Sequence, residues 1–317
     1  MKKFFFLAAA AMALLASCTK TDLVTTDNDL HEISFENFVH KTTKAASVET
    51  STLETNGFRV SAYYNGTPGW YFKNLDVTYA DSKYSTKYYW PNSSSTMDFY
   101  AVYPKSFSIS DSKTFEYDNT AAMTDIVTAV KTGESCAGHV SAAAPVALTF
   151  NHILTQIYFS ANTANADYYC KVSKIEVITN GKATYTFGTG FGEVSESKTY
   201  DYVSLAPGSE QKIEYNATTP TLVGTDIATN SLMVIPQDGG TADIATIKVY
   251  YKSYNTVGDA VINDFSGADT CKSFTVKKWS PKQSVNYVMT LPVGSQPIEF
   301  TATVSAWDTT TDTAISL

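Results

Sequence analysis

Apolar and polar residues alternate with a period of two along most of this chain, which restricts it to a fold built from β-strands. Ile33, Phe35 and Val39 share one face of a first predicted strand. Met97–Tyr103 is almost continuously apolar and ends at a proline, which is typical of a strand buried on both faces. The sequence lacks the amphipathic pattern of a helix longer than one or two turns.

Turn signals separate the apolar runs. Asn180-Gly181 predicts a two-residue turn that joins Val172–Thr179 to Lys182–Phe187 as an antiparallel hairpin. The clearest alternation lies near the C-terminus, where one face of a predicted strand carries Ile298, Phe300, Ala302 and Val304.

Ser141–Pro145 is small, flexible and proline-ended, and it lies near the middle of the chain, so it predicts a domain joint. Many short strands with regularly spaced turns predict an all-β chain. The expected architecture is two antiparallel β-sandwich domains in series, over residues 31–145 and 146–317.

The first residues predict export. Residues 1–3 carry positive charge, and the twelve apolar residues that follow are too few for a membrane-spanning helix, which needs about 20. Residues 1–17 therefore predict a signal peptide. Leu15–Cys18 matches a bacterial lipobox, which predicts lipidation of Cys18; the alternative is an ordinary secretory signal that contains a cysteine. The polar residues 18–30 predict a tether between the lipid and the fold.

Charge and cysteine usage exclude several classes of protein. Removal of residues 1–17 takes away Lys2 and Lys3, so the net charge goes from −8 to −10. An acidic chain whose one arginine is Arg59 is a poor nucleic-acid binder. Three further cysteines at wide spacing, Cys136, Cys170 and Cys271, form neither a disulfide framework nor a zinc ribbon. One bridge or buried free thiols are both compatible with this spacing.

The residues that carry chemistry in enzymes form no recognisable site, so we expect no enzyme, no cofactor and no metal. The histidines lack metal-ligand spacing, and His152, inside a predicted buried strand, is interpreted as a hydrogen-bonded core residue. Gly188–Gly192 is interpreted as a loop and not as a phosphate cradle, since no Lys-Ser/Thr follows it. The four tryptophans, Trp70, Trp90, Trp279 and Trp307, border predicted strands, so core or sheet-edge packing is expected for most of them. The alternative is that they are exposed and bind sugar rings.

Several segments, in this order, resemble the fimbrillin-like proteins of type V pili. Besides the lipobox they are Ile33-Ser34-Phe35, Thr43-Lys44-Ala45, Tyr89-Trp90-Pro91, Met97–Pro104, Val146–His152, Leu232–Gln237, Ile298–Val304 and Trp307. The resemblance implies two transthyretin-like β-sandwich domains and export as an outer-membrane lipoprotein. It also implies that a trypsin-like protease removes the N-terminal strand, and that a strand from a neighbouring subunit fills the groove by β-augmentation.

The resemblance assigns roles to particular residues. The removable strand is the one with Ile33, Phe35 and Val39. The candidate processing sites are Lys44, which stands where the family usually has arginine, and Lys41. The C-terminal alternating segment is a candidate donor strand or a core strand.

The expected function is a structural or adhesive subunit of a cell-surface fimbria, and the alternative is a surface lipoprotein that binds glycans. The expected partners are other fimbrial subunits, a host glycan or protein, and the outer membrane through the lipid anchor. Nucleic acid is not expected.

Overall fold

The computed structural model describes residues 31–39, 48–119, 124–140, 144–227, 229–306 and 312–315. The strands of the first half of the chain are β1 (Glu32–Val39), β2 (Phe58–Tyr64), β3 (Gly69–Val77), β4 (Tyr79–Ala80), β5 (Lys83–Tyr89), β6 (Thr96–Tyr103), β7 (Thr114–Asp118), β8 (Val127–Ser135) and β9 (Val146–His152). Two short helices accompany them, α1 (Thr50–Asn56) and α2 (Cys136–Val140).

The second half of the chain contains only strands in its described residues. They are β10 (Thr155–Thr163), β11 (Tyr168–Thr186), β12 (Gly190–Ser204), β13 (Gln211–Ile213), β14 (Thr221–Leu222), β15 (Leu232–Val234), β16 (Gln237–Asp238), β17 (Ala245–Asn255), β18 (Val261–Phe265), β19 (Lys272–Val276), β20 (Lys278–Trp279), β21 (Gln283–Leu291), β22 (Glu299–Ala306) and β23 (Asp312–Ile315). The all-β prediction is confirmed.

An eight-stranded sheet dominates the first half, in the order β3-β2-β6-β8-β9-β1-β5-β4. Its two ends lie close together, because the Tyr71 hydroxyl on β3 donates to the carbonyl of Tyr89 on β5 at 2.8 Å. The aromatic rings of Phe58 and Tyr84, on β2 and β5, are also only 4.6 Å apart. The sheet thus folds over a closed aromatic core.

Strand β9 is hydrogen-bonded within this first sheet, although the expected division at residue 145 assigns it to the second domain. It pairs antiparallel with β8 and parallel with β1. Val146, Leu148 and Phe150 are all buried and face the first core. Strand β7 crosses the other way, since it pairs with β11 of the second half. Each half of the chain, as divided at residue 145, therefore contributes one strand to a sheet of the other half.

The second half forms a six-stranded sheet, a seven-stranded sheet and the two-stranded pair β16–β20. The six-stranded sheet runs β14-β10-β21-β22-β23, with β15 also on β10. The seven-stranded sheet runs β12-β11-β17-β18, and β7, β13 and β19 complete it. One cluster of buried apolar side chains from both sheets fills the space between them.

The hairpin predicted at Asn180-Gly181 is wrong, because β11 continues through both residues for 19 residues in all. A Cβ at Gly181 would lie 2.2 Å from the Tyr200 hydroxyl and 2.8 Å from Lys198 Cδ, so this glycine leaves room for two side chains of β12. The chain reverses instead after Thr186, where Gly188 has φ of 79° and Thr186 pairs with Gly190. Long-range pairing on both edges of β11 overrides the local turn preference.

A third cluster of buried apolar residues joins the two halves. It includes Tyr100, Val102, Ile109, Phe115, Tyr117, Ile126, Ile153, Leu154, Ala183, Tyr185, Phe187, Met233 and Ile235. Among the described residues, no helix is long and apolar enough to cross a membrane.

Candidate assembly site

Strand β1 lies inside the eight-stranded sheet, with hydrogen-bonded neighbours on both sides. It runs antiparallel to β5, where Phe35 is opposite Tyr84. It runs parallel to β9, from Phe35 opposite Val146 to Val39 opposite Phe150. Loss of β1 would therefore split the sheet and leave two unpaired edges that face each other.

The apolar face of β1 is completely buried. Ile33 and Phe35 are 0% exposed and Val39 is 1% exposed. The Phe35 ring packs edge-on against Phe99 at 5.2 Å and against Phe58 at 6.2 Å. Full burial of such a side chain contributes about 1.5–3 kcal/mol, so the three together contribute about 5–9 kcal/mol. This is comparable to the net stability of a whole domain, about 5–15 kcal/mol.

Polar contacts fix the start and register of β1. The Thr86 hydroxyl donates to the Ile33 carbonyl at 2.7 Å, and the backbone N–H of Trp90 donates to the His31 carbonyl at 3.0 Å. The Asn37 amide donates to the Tyr84 hydroxyl at 2.8 Å. These contacts lie on both sides of a bulge between Glu32 and Ser34, where the register of β1 against β5 shifts.

The chain is anchored again on both sides of the segment that contains the candidate processing sites. The N–H of Val39 donates to Thr50 Oγ1 at 3.2 Å, and the N–H of Val48 donates to Asp125 Oδ2 at 2.8 Å. Lys41 and Lys44 lie between these anchors and outside the described residues. Cys18, the signal peptide and the tether also lie outside them.

Asp125, which accepts the N–H of Val48, also forms a buried pair with His152. The two side chains are 2% and 1% exposed, and His152 Nδ1 lies 2.8 Å from Asp125 Oδ2. The interpretation of His152 as a hydrogen-bonded core residue is confirmed.

The C-terminal alternating segment lies in a different sheet from β1. Phe300, Ala302 and Val304 belong to β22, which is paired with β21 on one side and β23 on the other. Ile298 lies just before this strand and is buried. The Phe300 ring stacks on Phe274 at 4.2 Å. In this arrangement the segment is an inner strand, and the structure does not bring it to β1.

The tryptophan platform is wrong at two of its four positions. Trp90 is 1% exposed and stacks on the His139 ring at 4.2 Å. Trp279 is 2% exposed, and its indole N–H donates to the Tyr287 hydroxyl at 2.8 Å. Trp70 is half-buried against Tyr63, and Trp307 lies outside the described residues.

The cysteines of the described residues, Cys136, Cys170 and Cys271, are all free thiols. Burial raises the pKa of the Cys170 thiol to about 12. The described ranges also contain no group of three His, Cys, Asp or Glu side chains that could hold a metal ion.

A family model described as fimbrillin-like matches residues 43–307, so the chain belongs to the fimbrillin-like family. The structure of a fimbrial protein from Bacteroides vulgatus superposes with a TM-score of 0.64 at 17% identity, covering 86% of this chain and 99% of that one. The structure of a candidate cell adhesion protein from Parabacteroides distasonis gives a TM-score of 0.50 at 11% identity, covering 89% and 98%. At these identities the two structures show a shared fold. No curated protein sequence matches the chain.

The resemblance stated from the sequence is thus confirmed. Family membership supports a fimbrial subunit at the cell surface that associates with other fimbrial subunits, and it favours a structural over an enzymatic role.

Proposed function

We propose that this chain is a structural or adhesive subunit of a cell-surface fimbria, and that it assembles by exchange of strand β1. The position of β1 between β5 and β9 carries the proposal. Neighbouring strands lie about 4.8 Å apart, so loss of β1 leaves an opening about 9.6 Å wide, which accepts one strand. A strand from another subunit would restore both rows of main-chain hydrogen bonds.

The side chains that line the opening would select the incoming strand. The site of Phe35 is walled by Phe58 and Phe99, so it favours a large apolar residue. The sites of Ile33 and Val39 lie on the same face of the strand. A donor with apolar residues at alternate positions fits this spacing, and a shift by one residue would turn its apolar side chains away from the core.

We propose that cleavage after Lys44 or Lys41 releases β1, and that a lipid on Cys18 holds the precursor at the outer membrane until then. Such an anchor contributes about 0.8 kcal/mol for each buried CH₂. The inner position of β22 favours a core role over donation, because a donor must leave both β21 and β23. The ligand of an adhesive subunit would be a host glycan or protein.

Two forms of the chain test this proposal, one that begins at Thr19 and one that begins at Ala45. Size-exclusion chromatography with light scattering should find the longer form monomeric and the shorter form in ordered oligomers. In the longer form, Ile33→Asp with Phe35→Asp should mimic the truncation, because two buried charges weaken the hold on β1. Glu36→Gln, at an exposed position of the same strand, is the matched control and should remain monomeric.

If the form that begins at Ala45 stays a folded monomer even at high concentration, that result would contradict strand exchange. The alternative, a surface lipoprotein that binds glycans, would then be the better description.

A further inference from the structure

A cleft of about 630 Å³ lies where the two halves of the chain meet. Its walls are the β8–β9 corner, the turn between β11 and β12, and the segments 236–238 and 278–282. Ligand sites in proteins commonly have volumes of roughly 300–1,000 Å³ and lie at domain junctions. None of the described residues that line the cleft belongs to β1 or β5.

The charge of the lining is opposite to that of the chain. The described residues around the cleft include two exposed lysines, Lys278 and Lys282, and one exposed carboxylate, Asp238. The whole chain carries a net charge of −8. A locally positive cleft in an acidic protein favours an anionic ligand over a cationic one.

The two lysines are held in place over the cleft. Lys282 has φ of 62°, which is rare for a residue with a side chain. Its Nζ donates to Asn151 Oδ1 at 3.0 Å, across the junction between the halves. Lys278 Nζ lies 2.7 Å from Asp238 Oδ2. Both ammonium groups thus have an oxygen partner at the rim of the cleft, where a ligand carboxylate can also reach them.

The rest of the lining combines an apolar wall with neutral hydrogen-bonding groups. The rings of Tyr185 and Phe191 lie 5.1 Å apart at 69°, and Val130, which also lines the cleft, is 39% exposed. The neutral polar residues of the lining are Thr128, Asn151, Thr189, Gln237 and Ser280. Gly188 and Gly190 in the turn have open space where a Cβ would stand, so a ligand can approach their backbone closely.

From these features we infer that the cleft binds a saccharide that carries carboxylate groups, such as a short uronic acid oligomer. A sugar ring has an apolar face of C–H groups for Phe191 and a rim of hydroxyls for Thr189 and Ser280. Thr128, Asn151 and Gln237 already form hydrogen bonds within the chain. Its carboxylate pairs with Lys278 and Lys282. This site does not depend on strand exchange, because it is formed by the folded single chain with β1 in place.

Titration calorimetry on the full-length chain tests the inference. The probes are the trisaccharides of galacturonic acid and of glucuronic acid, together with their uncharged galactose and glucose counterparts. We expect at least one acidic probe to bind at least tenfold more tightly than its uncharged counterpart, and its affinity to fall with added salt. No binding by either acidic probe, or equal affinity for the acidic and uncharged forms, would overturn the inference.

Substitutions locate the site. Lys278→Met and Lys282→Met should each weaken acidic-probe binding about tenfold, as expected for loss of a charged hydrogen bond. Asp238→Asn should tighten it, because it removes a like charge and frees Lys278. Lys212→Met is the matched control: its ammonium lies 2.7 Å from Glu214 at a similarly exposed site away from the cleft. Unchanged affinity in both cleft variants, or an equal loss in the control, would overturn the assignment.

The oligomer measurement on the shorter chain reports on assembly and the calorimetry reports on the cleft, so each can fail without the other. All four lysine and aspartate changes lie at exposed positions, and thermal melts should confirm that the variants fold.

Discussion

Asp125 Oδ2 accepts the backbone N–H of Val48 at 2.8 Å, although the two residues are 77 positions apart in the sequence. The same oxygen lies 2.8 Å from His152 Nδ1 on β9. One buried carboxylate thus ties the chain that follows β1 to the strand on which β1 is paired. If β1 is removed by cleavage before Val48, this contact helps to keep the new start of the chain in place, together with the buried side chains of Val48 and Leu53.

Asp125→Ala should lower the free energy of unfolding by about 2–4 kcal/mol, because it removes the acceptor of the buried Val48 N–H and a buried contact of His152. Urea denaturation followed by fluorescence measures the change. Asp125→Asn keeps an acceptor oxygen and should cost less. Asp111→Ala, whose carboxylate makes an exposed ion pair with Lys73, is the control and should have no measurable effect. Equal stability of Asp125→Ala and the control would contradict the anchoring role.

Gly181→Ala should destabilise the fold by about 1–3 kcal/mol, because the new Cβ would lie 2.2 Å from the Tyr200 hydroxyl. Tyr200→Phe removes that hydroxyl, so the same change should cost less in a Tyr200→Phe background. Gly138→Ala in α2 meets only ordinary contacts and serves as the control. Thermal unfolding of the single and double variants measures the coupling. A cost that does not depend on residue 200 would show that the strain lies elsewhere.

The sequence predicted individual strands better than their partners. Alternation places β1 and β22 correctly, and a nearly continuous apolar run places β6, because both patterns are contained in a short stretch of sequence. Asn180-Gly181 misled because a turn signal is local, whereas β11 is held straight by partners on both edges. The pairing of β9 with β1 leaves no local pattern, since more than a hundred residues separate them.

The apolar face of β1 and the cleft also differ in how far the sequence could predict them. The apolar face of β1 is contained in one short segment, so three residues sufficed to predict its burial. The cleft could not be predicted in this way, because its lysines, its aromatic wall and its polar groups come from separate segments. Core packing was the expectation for most of the tryptophans, and it holds for Trp90 and Trp279. The sequence could not exclude the exposed alternative, because a tryptophan at a strand end looks the same in sequence whether it faces solvent or the core.

The thiols should differ in reactivity at pH 8.5. Burial raises the pKa of Cys170 to about 12 and also raises that of Cys136, so both stay protonated and shielded at this pH. Cys271 is partly exposed and should react first with iodoacetamide. Peptide mass spectrometry measures the modified fraction at each position, and denatured protein, in which all should react, is the control. Early modification of Cys170 would contradict its burial.

Cys18 should carry a lipid after cleavage behind Ser17. Cells fed labelled palmitate should incorporate label into the wild-type protein and not into Cys18→Ala, because acylation needs the thiol. Cys271→Ala provides a matched loss of a cysteine and should still be labelled. Incorporation into Cys18→Ala at the wild-type level would rule out this anchor.

Limited trypsin treatment should cut the folded chain first after Lys41 or Lys44. Residues 37–52 are mostly polar in sequence, and this composition predicts an exposed, cleavable segment. Residues 37–39 belong to β1 and residues 50–52 to α1, and Val48 is buried, so the expected cuts lie between Val39 and Val48. Competing basic residues such as Arg59 and Lys73 lie within strands and make ion pairs with Asp76 and Asp111.

N-terminal sequencing of the first fragments identifies the cut. Lys41→Gln with Lys44→Gln should delay the first cleavage by at least tenfold, whereas Lys83→Gln with Lys87→Gln, in strand β5, should leave its rate unchanged. Release of β1 should follow the cut slowly, because its apolar face and its pairing with β5 and β9 remain intact after cleavage. Once β1 has left, an added peptide with the β1 sequence should slow oligomer formation by competing for the same opening. First cuts between Lys73 and Lys113 would show instead that the segment before Val48 is protected in the folded precursor.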